Sequence, residues 1–459
     1  MWQNVGLPFP ALLDIAQCCL LSSCKTSVSG VTYSVVYNHY FPLNINAVLE
    51  MSEYDSDDQD FAVYSDEDSS DEPQTEWPFP IPTSASTISA CGSKLIVIGG
   101  WNGRWVDDIT NSQDGGYVRR IYSYNIYTNK WQNLKWSSQG ETDPPLETAS
   151  HRTFALSPSE LLVFGGSLSP RGIMGCSNEL YIYSVKSEEW RKLECSGDGN
   201  SIPAVDVGHW WGRAAFMSNN VLYVSTGNYE LGSMEIHELD LSKEVPSWKI
   251  LEAATPSLGV KVKQQMIVYA NKIYLFGGRT WFDSFLPDTE QDSLLDIPTF
   301  DLLSHEWFIT KCTGDIEEVK FMFAPCVELI DRFIYLTGGK VFADRQEHLS
   351  NLVLKLDLET KHWTKYAAMK VGRFFHASCV SEDGRLFVYG GCAKIYYNGR
   401  RTNSLEYFQV CVPSLYQCAL RAFCCCEYGV RVASLLGSGH TLPDSVVSFV
   451  PKSILKEMN

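Results

Sequence analysis

Residues 273–278 read Ile273-Tyr274-Leu275-Phe276-Gly277-Gly278, an apolar run that ends in two glycines. The same phrase recurs along the 459-residue chain, five times clearly and once in a weaker form. The other copies are Leu95–Gly100, Leu161–Gly166, Ile334–Gly339, Leu386–Gly391 and the weaker Val221–Gly227. Self-similarity at intervals of about 50 residues indicates a repeat architecture in which each copy is one small structural unit.

A second strand-like run and then a tryptophan follow most of the copies. The second runs are Ile121–Asn125, Leu180–Tyr183, Ile236–Asp240 and Leu352–Asp357, and the tryptophans are Trp131, Trp190, Trp248, Trp307 and Trp363. Short runs rich in β-branched and aromatic residues are typical of strands. Because a sheet of three or four short strands cannot bury both faces alone, neighbouring sheets must stack around an axis. The sequence therefore predicts an all-β, six-bladed β-propeller.

This repeat resembles the kelch repeat, and the resemblance extends over residues 84–412. The glycine pairs are unevenly spaced, so the extra residues must lie in loops, of which residues 101–119 and 279–295 are the longest candidates. Loops on a rigid scaffold commonly carry function. In a propeller the loops after the glycine pairs converge on one face, and we expect that face to be the binding site.

The chain is acidic, with a formal net charge of −17. Residues 51–76 contain eleven acidic side chains and no lysine or arginine. Non-specific nucleic-acid binding needs a basic surface, so we expect no nucleic-acid partner. We expect residues 1–83 to be a mostly disordered N-terminal segment that is acidic from residue 51.

Fifteen cysteines are scattered along the chain, apart from the triplet at residues 424–426. This usage favours a reducing compartment over a disulfide framework, and we expect the protein in the cytoplasm, the nucleus or both. No stretch approaches the length of a membrane-spanning apolar helix, so we expect no membrane partner. The triplet is interpreted as part of a buried helix face, with zinc binding or palmitoylation as alternatives.

Residues 413–459 depart from the repeat and predict a small helical tail. Pro413 and Ser414 are helix-start signals. After them an apolar stripe follows at helical spacing, formed by Leu415, Cys418, Ala419, Ala422 and Phe423. Beyond a glycine-rich break, Leu442 and Pro443 open a further helical pattern. One interpretation is a helical cap that only covers the last blade.

The other interpretation is that the tail resembles an Elongin-binding BC box followed by a cullin-2 box. That resemblance implies binding of Elongin B/C by Ser414, Leu415, Cys418, Ala419, Ala422 and Phe423, and of cullin-2 by Leu442 and Pro443. The BC box usually has a cysteine four positions after its leucine, where this chain has Ala419.

An ordered set of segments resembles the kelch-domain-containing substrate receptors of cullin-2–RING ubiquitin ligases. The segments are Arg373–Cys379, Gly390–Ala393, Arg400 or Arg401, Asn403–Leu405 and Pro413–Leu415. The resemblance implies a non-catalytic subunit that binds the C-terminal ends of substrate proteins (C-degrons) and assembles with Elongin B/C, cullin-2 and a RING protein. The alternative is a non-catalytic kelch scaffold that binds cytoskeletal or signalling proteins without ubiquitin transfer.

Capture of a terminal carboxylate favours arginine, whose planar fork pairs with both carboxylate oxygens. The resemblance places one such arginine directly after the fourth glycine pair, at Arg279. A second arginine of the family is missing from the loop that follows, and Lys320 and Lys340 are candidates to replace it. We expect this binding face to have a central mouth around the propeller axis. The residues that should line it also include Trp101, Tyr229, Trp281 and Cys392, which stand just past glycine pairs.

None of the nine histidines forms a close pair at metal-ligand spacing, so we expect no metal, no cofactor and no catalysis by this chain. His151 and His376 stand where blade-opening strands are expected. The kelch resemblance implies that they pack and hydrogen-bond between strands.

Overall fold

A computed structural model of the chain describes residues 26–28, 31–33, 79–103, 116–136, 143–168, 175–197, 202–203, 206–207, 212–228, 233–253, 261–280, 293–319, 321–343, 346–395, 400–414, 417–418 and 421. The predicted acidic segment at residues 51–76 lies outside these ranges. Within them the secondary structure is almost entirely β, which confirms the all-β part of the predicted fold. No helix of the described residues is long and apolar enough to cross a membrane.

Three four-stranded antiparallel sheets, numbered 1 to 3, occupy the first half of the described chain. A separate hairpin precedes them, formed by β1 (Thr26–Val28) and β2 (Val31–Tyr33). Sheet 1 is β3 (Thr87–Cys91), β4 (Lys94–Ile98), β5 (Ile121–Asn125) and β6 (Lys130–Leu134). The next strands are β7 (Arg152–Ser157), β8 (Glu160–Phe164), β9 (Gly175–Cys176), β10 (Leu180–Ser184), β11 (Glu189–Lys192) and β12 (Asp206–Val207). Sheet 2 contains β7, β8, β10 and β11, while β9 pairs with β12.

Sheet 3 and sheet 4 follow in the same antiparallel order. Sheet 3 is β13 (Ala215–Ser218), β14 (Val221–Asn228), β15 (Ser233–Asp240) and β16 (Trp248–Ala253). The next strands are β17 (Lys261–Val262), β18 (Gln265–Tyr269), β19 (Lys272–Phe276), β20 (Arg279–Thr280), β21 (Asp296–Asp301) and β22 (Trp307–Lys311). Sheet 4 contains β18, β19, β21 and β22, while β17 pairs with β20.

Sheets 5 and 6 complete the set. After β23 (Thr313–Gly314) come a 3-10 helix (Glu317–Val319) and the strands β24 (Met322–Phe323), β25 (Cys326–Ile330), β26 (Phe333–Thr337), β27 (Lys340–Ala343), β28 (Gln346–Leu349), β29 (Leu352–Asp357) and β30 (His362–Ala368). Sheet 5 contains β25, β26, β29, β30 and β23, while β24, β27 and β28 form a small sheet. Sheet 6 has three strands, β31 (Ala377–Val380), β32 (Arg385–Tyr389) and β33 (Leu405–Gln409).

The first strand of every sheet contacts the first strand of the next, and the order is cyclic. Along the chain β3 contacts β7, β7 contacts β13, β13 contacts β18, β18 contacts β25 and β25 contacts β31. The cycle returns to its start because β31 contacts β3. The arrangement is therefore propeller-like, with the six first strands innermost.

A hydrophobic core lies between each pair of neighbouring sheets. In β4, Leu95 and Val97 pack with Phe387 of sheet 6, whereas Ile96 and Ile98 pack with sheet 2. Side chains of a strand alternate between its two faces, so a strand buried on both faces has a continuous apolar sequence. This is why the run before each glycine pair is unbroken rather than alternating.

Tryptophans of the outer strands extend several of these cores. Trp190 in sheet 2 donates its indole N–H to the carbonyl of Trp136, which follows sheet 1, at 3.0 Å. Trp363 in sheet 5 donates to the carbonyl of Leu294, beside sheet 4, at 2.8 Å. A buried indole needs such a partner, and here the partner belongs to the preceding sheet. At Trp190 and Trp363 the recurring tryptophan therefore joins sheets as well as filling space.

Glycine pairs join a sheet to the following one through main-chain hydrogen bonds. Such bonds run from the N–H of Gly100 to the carbonyl of Thr148 (2.6 Å), Gly278 to Met322 (3.2 Å), Gly339 to Arg373 (2.8 Å) and Gly391 to Thr83 (2.8 Å). Gly390 has φ +66°, and a Cβ there would lie 2.8 Å from the Thr83 carbonyl oxygen. Glycine is required because the chain needs this left-handed turn and because the next sheet approaches so closely.

Sheet 6 is tied to sheet 1 by several further bonds. Ala85 donates its N–H to the carbonyl of Phe375 at 2.8 Å. Asn403 donates from Nδ2 to the carbonyl of Pro80 at 2.7 Å. Arg385 donates from Nη2 to the carbonyl of Ile126 at 2.8 Å. The two ends of the repeat region are thus held together by main-chain and side-chain bonds.

Two features depart from the simple repeat. The weaker copy at residues 221–227 belongs to the long strand β14, which continues through Gly227 and pairs with β15. Sheet 4 has its third strand at β21, which contains Pro298 and for which the sequence predicted no strand. Proline cannot donate to a ladder, and the pairing of β19 with β21 ends at Thr299, next to Pro298.

Gly390→Ala is expected to lower the free energy of unfolding by about 3 kcal/mol or more. The added Cβ would strain the left-handed backbone and displace the Thr83 carbonyl, which also accepts the Gly391 N–H. Urea unfolding followed by tryptophan fluorescence measures the loss.

Gly92→Ala is the matched control for that substitution. Gly92 also has a left-handed φ of +55°, but a Cβ there would meet nothing closer than Pro158 Cβ at 3.7 Å. We expect it to cost only about 1 kcal/mol. Equal losses from the two variants would contradict a special role for the inter-sheet contact.

Candidate functional site

Six residues that precede the innermost strands form a ring around the axis, which we call the axial ring. They are Ala85, Ser150, Gly212, Lys263, Ala324 and Phe375, and all have positive φ values between +52° and +78°. Ser150 donates its N–H to the carbonyl of Ala85, which in turn donates to Phe375. The ring lies on the glycine-pair side, because the glycines donate to residues two places before it, such as Thr83 and Arg373.

Lys263 extends from sheet 4 to the opposite side of the ring. Its Nζ donates to Ser150 Oγ of the sheet 2 segment at 2.9 Å and lies 4.8 Å from the ring centre of Phe375 in the sheet 6 segment. Burial, followed by the positive charge of Arg152, lowers the pKa of Lys263 to about 7. Among the described residues no carboxylate lies within ion-pair distance of this amine.

Aromatic rings and cations continue from Lys263 along the mouth. Phe375 packs on Phe374 with ring centres 4.6 Å apart, and Lys340 Nζ lies 4.9 Å from the Phe374 ring centre. Lys340 is nevertheless committed to an ion pair, because its Nζ lies 3.0 Å from Glu347 Oε2. Such cation–π contacts are favourable because the face of an aromatic ring attracts a positively charged side chain.

The same mouth continues to sheet 1 through Cys392, Arg401 and Trp101. Cys392 pairs through its backbone with both Phe374 and Arg401. The Arg401 guanidinium lies 4.1 Å from the Trp101 ring centre, and its Nε donates to Ser84 Oγ at 3.2 Å. Burial raises the pKa of Cys392, although Arg401, Lys340 and Lys263 each act to lower it. Three basic side chains therefore act on the buried thiol, and one of them, Lys340, is ion-paired with Glu347.

Below the ring the axis is lined by polar side chains. Arg152 Nη1 donates to Gln265 Oε1 and its Nε to the Arg213 carbonyl, both at 2.9 Å. Glu328 Oε1 accepts a hydrogen bond from Ser378 Oγ at 2.8 Å. Burial raises the pKa of Glu328 to about 8, although Ser378 and Arg152 act against the increase. Glu328 is thus mostly protonated and neutral at pH 7.

Three residues predicted to line the mouth come together there. Trp101, Lys340 and Cys392 belong to one connected group. Arg279 pairs through its backbone with Val262, directly before Lys263, and its side chain lies outside the described structure. Tyr229, Trp281 and Lys320 are outside the described residues.

Sequence reasoning missed Lys263 and the place of Phe374, Phe375 and Arg401 in the mouth. The signal that identifies Lys263 and Phe375 is positional, since each stands two residues before an innermost strand. Those strands begin with polar or small residues and lie outside the apolar phrase on which the repeat was recognised. Aligning the units on the segment before each phrase would have placed both residues in one ring.

His151 and His376 hydrogen-bond between neighbouring sheets, as predicted. His151 Nε2 lies 2.9 Å from Thr87 Oγ1, and His376 Nε2 lies 2.9 Å from Thr337 Oγ1. Burial and a nearby arginine lower the pKa of both histidines to about 3. The described residues contain no group of three or more His, Cys, Asp or Glu side chains placed to hold a metal ion.

The start of the C-terminal segment is fixed to sheet 6. Ser414 Oγ accepts the N–H of Gln417 at 3.2 Å, and Gln417 Oε1 accepts the N–H of Ser414 at 2.7 Å. This reciprocal pair is a capping box and begins a helical turn at the predicted position. Cys418 continues it by donating its N–H to the Ser414 carbonyl at 3.0 Å. Leu415, Ala419, Ala422, Phe423, Leu442 and Pro443 lie outside the residues whose side chains are described.

Asp383 connects this turn to the sheet. Its buried carboxylate lies 2.7 Å from Nη2 of Arg385 and 2.7 Å from Nη2 of Arg421. Burial acts to raise the pKa of Asp383, but hydrogen bonds from Arg385, Ser381 and Arg421 outweigh it and keep the pKa below its usual value. A buried carboxylate shared by two arginines holds both in place.

Cyclic sheets joined by glycine pairs, with a ring of loop residues at one end, define a kelch-repeat protein. The chain belongs to this family, because the family model described as the KLHDC2/KLHL20/DRC7 Kelch-repeats domain matches residues 51–278 and 263–426. Proteins of this family are typically non-catalytic scaffolds for protein–protein interaction.

Individual relatives support the same assignment. Kelch domain-containing protein 10 of Rattus norvegicus is 27% identical over 350 residues, which cover 74% of this chain and 78% of the relative. The Homo sapiens protein of the same name is also 27% identical over 350 residues, covering 74% of this chain and 73% of that protein. The solved structure of YjhT aligns with a TM-score of 0.50 and 14% identity, covering 71% of this chain and 94% of YjhT, and shows the fold alone.

Acid is expected to destabilise the fold through His151 and His376. An unfolded histidine takes up a proton near pH 6.5, whereas these two resist protonation until about pH 3. Stability is therefore fully present above pH 6.5 and is lost as pH falls, by about 1.4 kcal/mol per pH unit for each histidine. Urea unfolding between pH 7 and pH 4 measures the slope.

His376→Gln should reduce that slope by about one proton, since glutamine does not titrate. The matched control is His348→Gln, because His348 is exposed on β28. If the two variants have the same pH slope, buried histidine does not cause the acid sensitivity.

Proposed function

We propose that the chain is a six-bladed kelch propeller that acts as the substrate-recognition subunit of a cullin-2–RING ubiquitin ligase. Substrate proteins bind at the axial ring through their C-terminal ends. The C-terminal segment binds Elongin B/C and cullin-2, and ubiquitin transfer belongs to the partner proteins. The support for this proposal comes from the residues of the site and of the C-terminal segment.

The observation that carries the proposal is a cationic mouth on an acidic protein. The chain has a net charge of −17, yet three basic side chains, Lys263, Lys340 and Arg401, act on the Cys392 thiol at the ring, and one of them, Lys340, is paired with Glu347. Concentrated positive charge attracts an anionic group. The carboxylate at a protein C-terminus is a small anionic group of this kind.

Aromatic faces beside the cations suit a peptide more than an inorganic ion. Trp101, Phe374 and Phe375 lie along the same mouth. Trp101 and Phe375 are half-buried and offer apolar surface for the side chains that precede the terminal carboxylate, whereas Phe374 is buried and packs against Phe375. The cations bind the carboxylate itself. Pockets of this kind combine apolar walls with a few placed polar groups.

The C-terminal segment supports the ligase part of the proposal. The capping box begins a helical turn at Ser414, where the BC-box resemblance begins. Arg421 fixes this turn to the buried Asp383 of sheet 6. An adaptor bound to the segment would therefore have a fixed direction relative to the ring. A kelch scaffold that binds cytoskeletal or signalling proteins is the second candidate, favoured by the general role of the family in protein–protein interaction.

Arg279→Ala is expected to weaken binding of a C-terminal peptide by about 2–5 kcal/mol if Arg279 pairs with a desolvated carboxylate. The peptide is the tightest binder from a random C-terminal display, and calorimetry measures its affinity. Amidation of the same peptide should cause a similar loss.

Arg332→Ala is the control for this substitution. Arg332 pairs with Asp357 and Glu359 at the turn between β25 and β26, away from the ring. Its removal should leave the affinity unchanged. Equal binding of free acid and amide by the wild type would contradict recognition of C-terminal ends.

Leu415→Ala combined with Ala419→Phe should abolish co-purification of Elongin B/C. The double substitution removes the anchoring leucine of the BC-box pattern and fills its small position. Val412→Ala is the control, because Val412 is exposed just before the pattern. Retained Elongin B/C, with the thermal unfolding midpoint of the propeller unchanged, would favour the scaffold candidate.

A further inference from the structure

Lys263 is the one cation of the axial ring, and among the described residues its amine uses little of its hydrogen-bonding capacity. A lysine ammonium has three N–H donors, and the one hydrogen-bond partner of Nζ among the described residues is Ser150 Oγ. The second contact of the amine is the face of Phe375, which attracts a cation but accepts no strong hydrogen bond. The amine therefore retains donors for a ligand.

Neighbouring cations are held by the protein to a greater extent. Lys340 is paired with Glu347. Arg152 donates to the carbonyls of Arg213 and Gln264 and to Gln265 Oε1. The Arg401 guanidinium contacts the Trp101 ring, and its Nε donates a hydrogen bond to Ser84 Oγ. A carboxylate entering along the axis would meet Lys263 without first breaking an ion pair.

We propose that Lys263 binds the terminal carboxylate of the substrate and that this binding takes up a proton. The inference rests on the proposed function and adds the anchoring residue and a dependence on pH. In the substrate receptors that this chain resembles, a second arginine contributes to the site. Here a lysine from the segment before β18 supplies that second cation.

The surroundings of the amine explain the proton uptake. The groups that act on Lys263 are Arg152 on β7, Cys176 on β9, Cys326 on β25 and Cys392 beside Phe374, together with its contacts Ser150 and Phe375. Burial and Arg152 both disfavour the charged amine, and the pKa falls to about 7. A carboxylate placed against the amine supplies the missing counter-ion and raises the pKa again. Free protein that is partly deprotonated near neutrality therefore binds a proton with the peptide.

The affinity for the peptide should fall as the pH rises, because the free and the bound protein differ in the pKa of Lys263. Below pH 7 the free protein is already protonated at Lys263, and affinity is at its full value. Above pH 7 the free amine loses its proton while the bound amine keeps it, so affinity falls by up to about tenfold per pH unit. An arginine at this position stays charged throughout. Lys263→Arg should therefore bind with little dependence on pH.

The test is calorimetry of the wild type, Lys263→Arg and Lys263→Met with the tightest peptide from a random C-terminal display, as free acid and as amide. Titrations at pH 6, 7, 8 and 9, each in two buffers of different ionisation enthalpy, measure proton uptake directly. We expect affinity of the wild type for the free acid to fall above pH 7 with proton uptake, and Lys263→Met to lose at least about 30-fold at pH 6.

Lys355→Met is the matched control, because Lys355 also stacks on an aromatic ring, Phe333, but lies on β29 away from the axis. Thermal unfolding of each variant shows whether the propeller is intact. A wild type that prefers the free acid to the amide, with the same affinity at every pH and in Lys263→Met, overturns the role of Lys263 and leaves the proposed function standing. A wild type that does not distinguish the two peptides overturns both.

Discussion

The structure depends on one repeated interaction, the hydrogen bond from a glycine N–H to the main chain just before the next innermost strand. It requires a left-handed backbone and a close approach that no side chain allows. Four such bonds join sheets 1 to 2, 4 to 5, 5 to 6 and 6 back to 1. The fourth, from Gly391 to Thr83, connects the last unit with the first.

The same bond determines where the site forms. Each acceptor carbonyl stands two residues before a member of the axial ring, so fixing the acceptor also fixes the ring residue. Ring positions 85, 212 and 324 hold small residues. The space at the axis is therefore left to the two large side chains of the ring, those of Lys263 and Phe375. The family membership of the chain rests on the repeat, whereas its individual chemistry rests on what occupies this ring.

Much of the fold could be predicted from the sequence, because the apolar runs and tryptophans that form the inter-sheet cores are local patterns. The innermost strands were harder to predict, since they face a polar axis and begin with residues such as Arg152 and Gln265. The residues of the site were harder still to predict. Lys263 meets Ser150 and Phe375, each more than 100 residues away. Lys340, a candidate for the second carboxylate-binding cation, is instead paired with Glu347 on the neighbouring strand. Such pairings depend on the register of β27 with β28, which no sequence period shows.

The bond between Gly391 and Thr83 also has a consequence for how the chain folds during its synthesis. The carbonyl of Thr83 is made early, and its donor follows about 300 residues later. At typical rates of synthesis this delay is roughly 15–60 s. During that time the face of sheet 1 that later packs on Phe387 and Tyr389 has no cover from this chain. This apolar surface of the nascent protein therefore stays exposed until the sixth unit has left the exit tunnel.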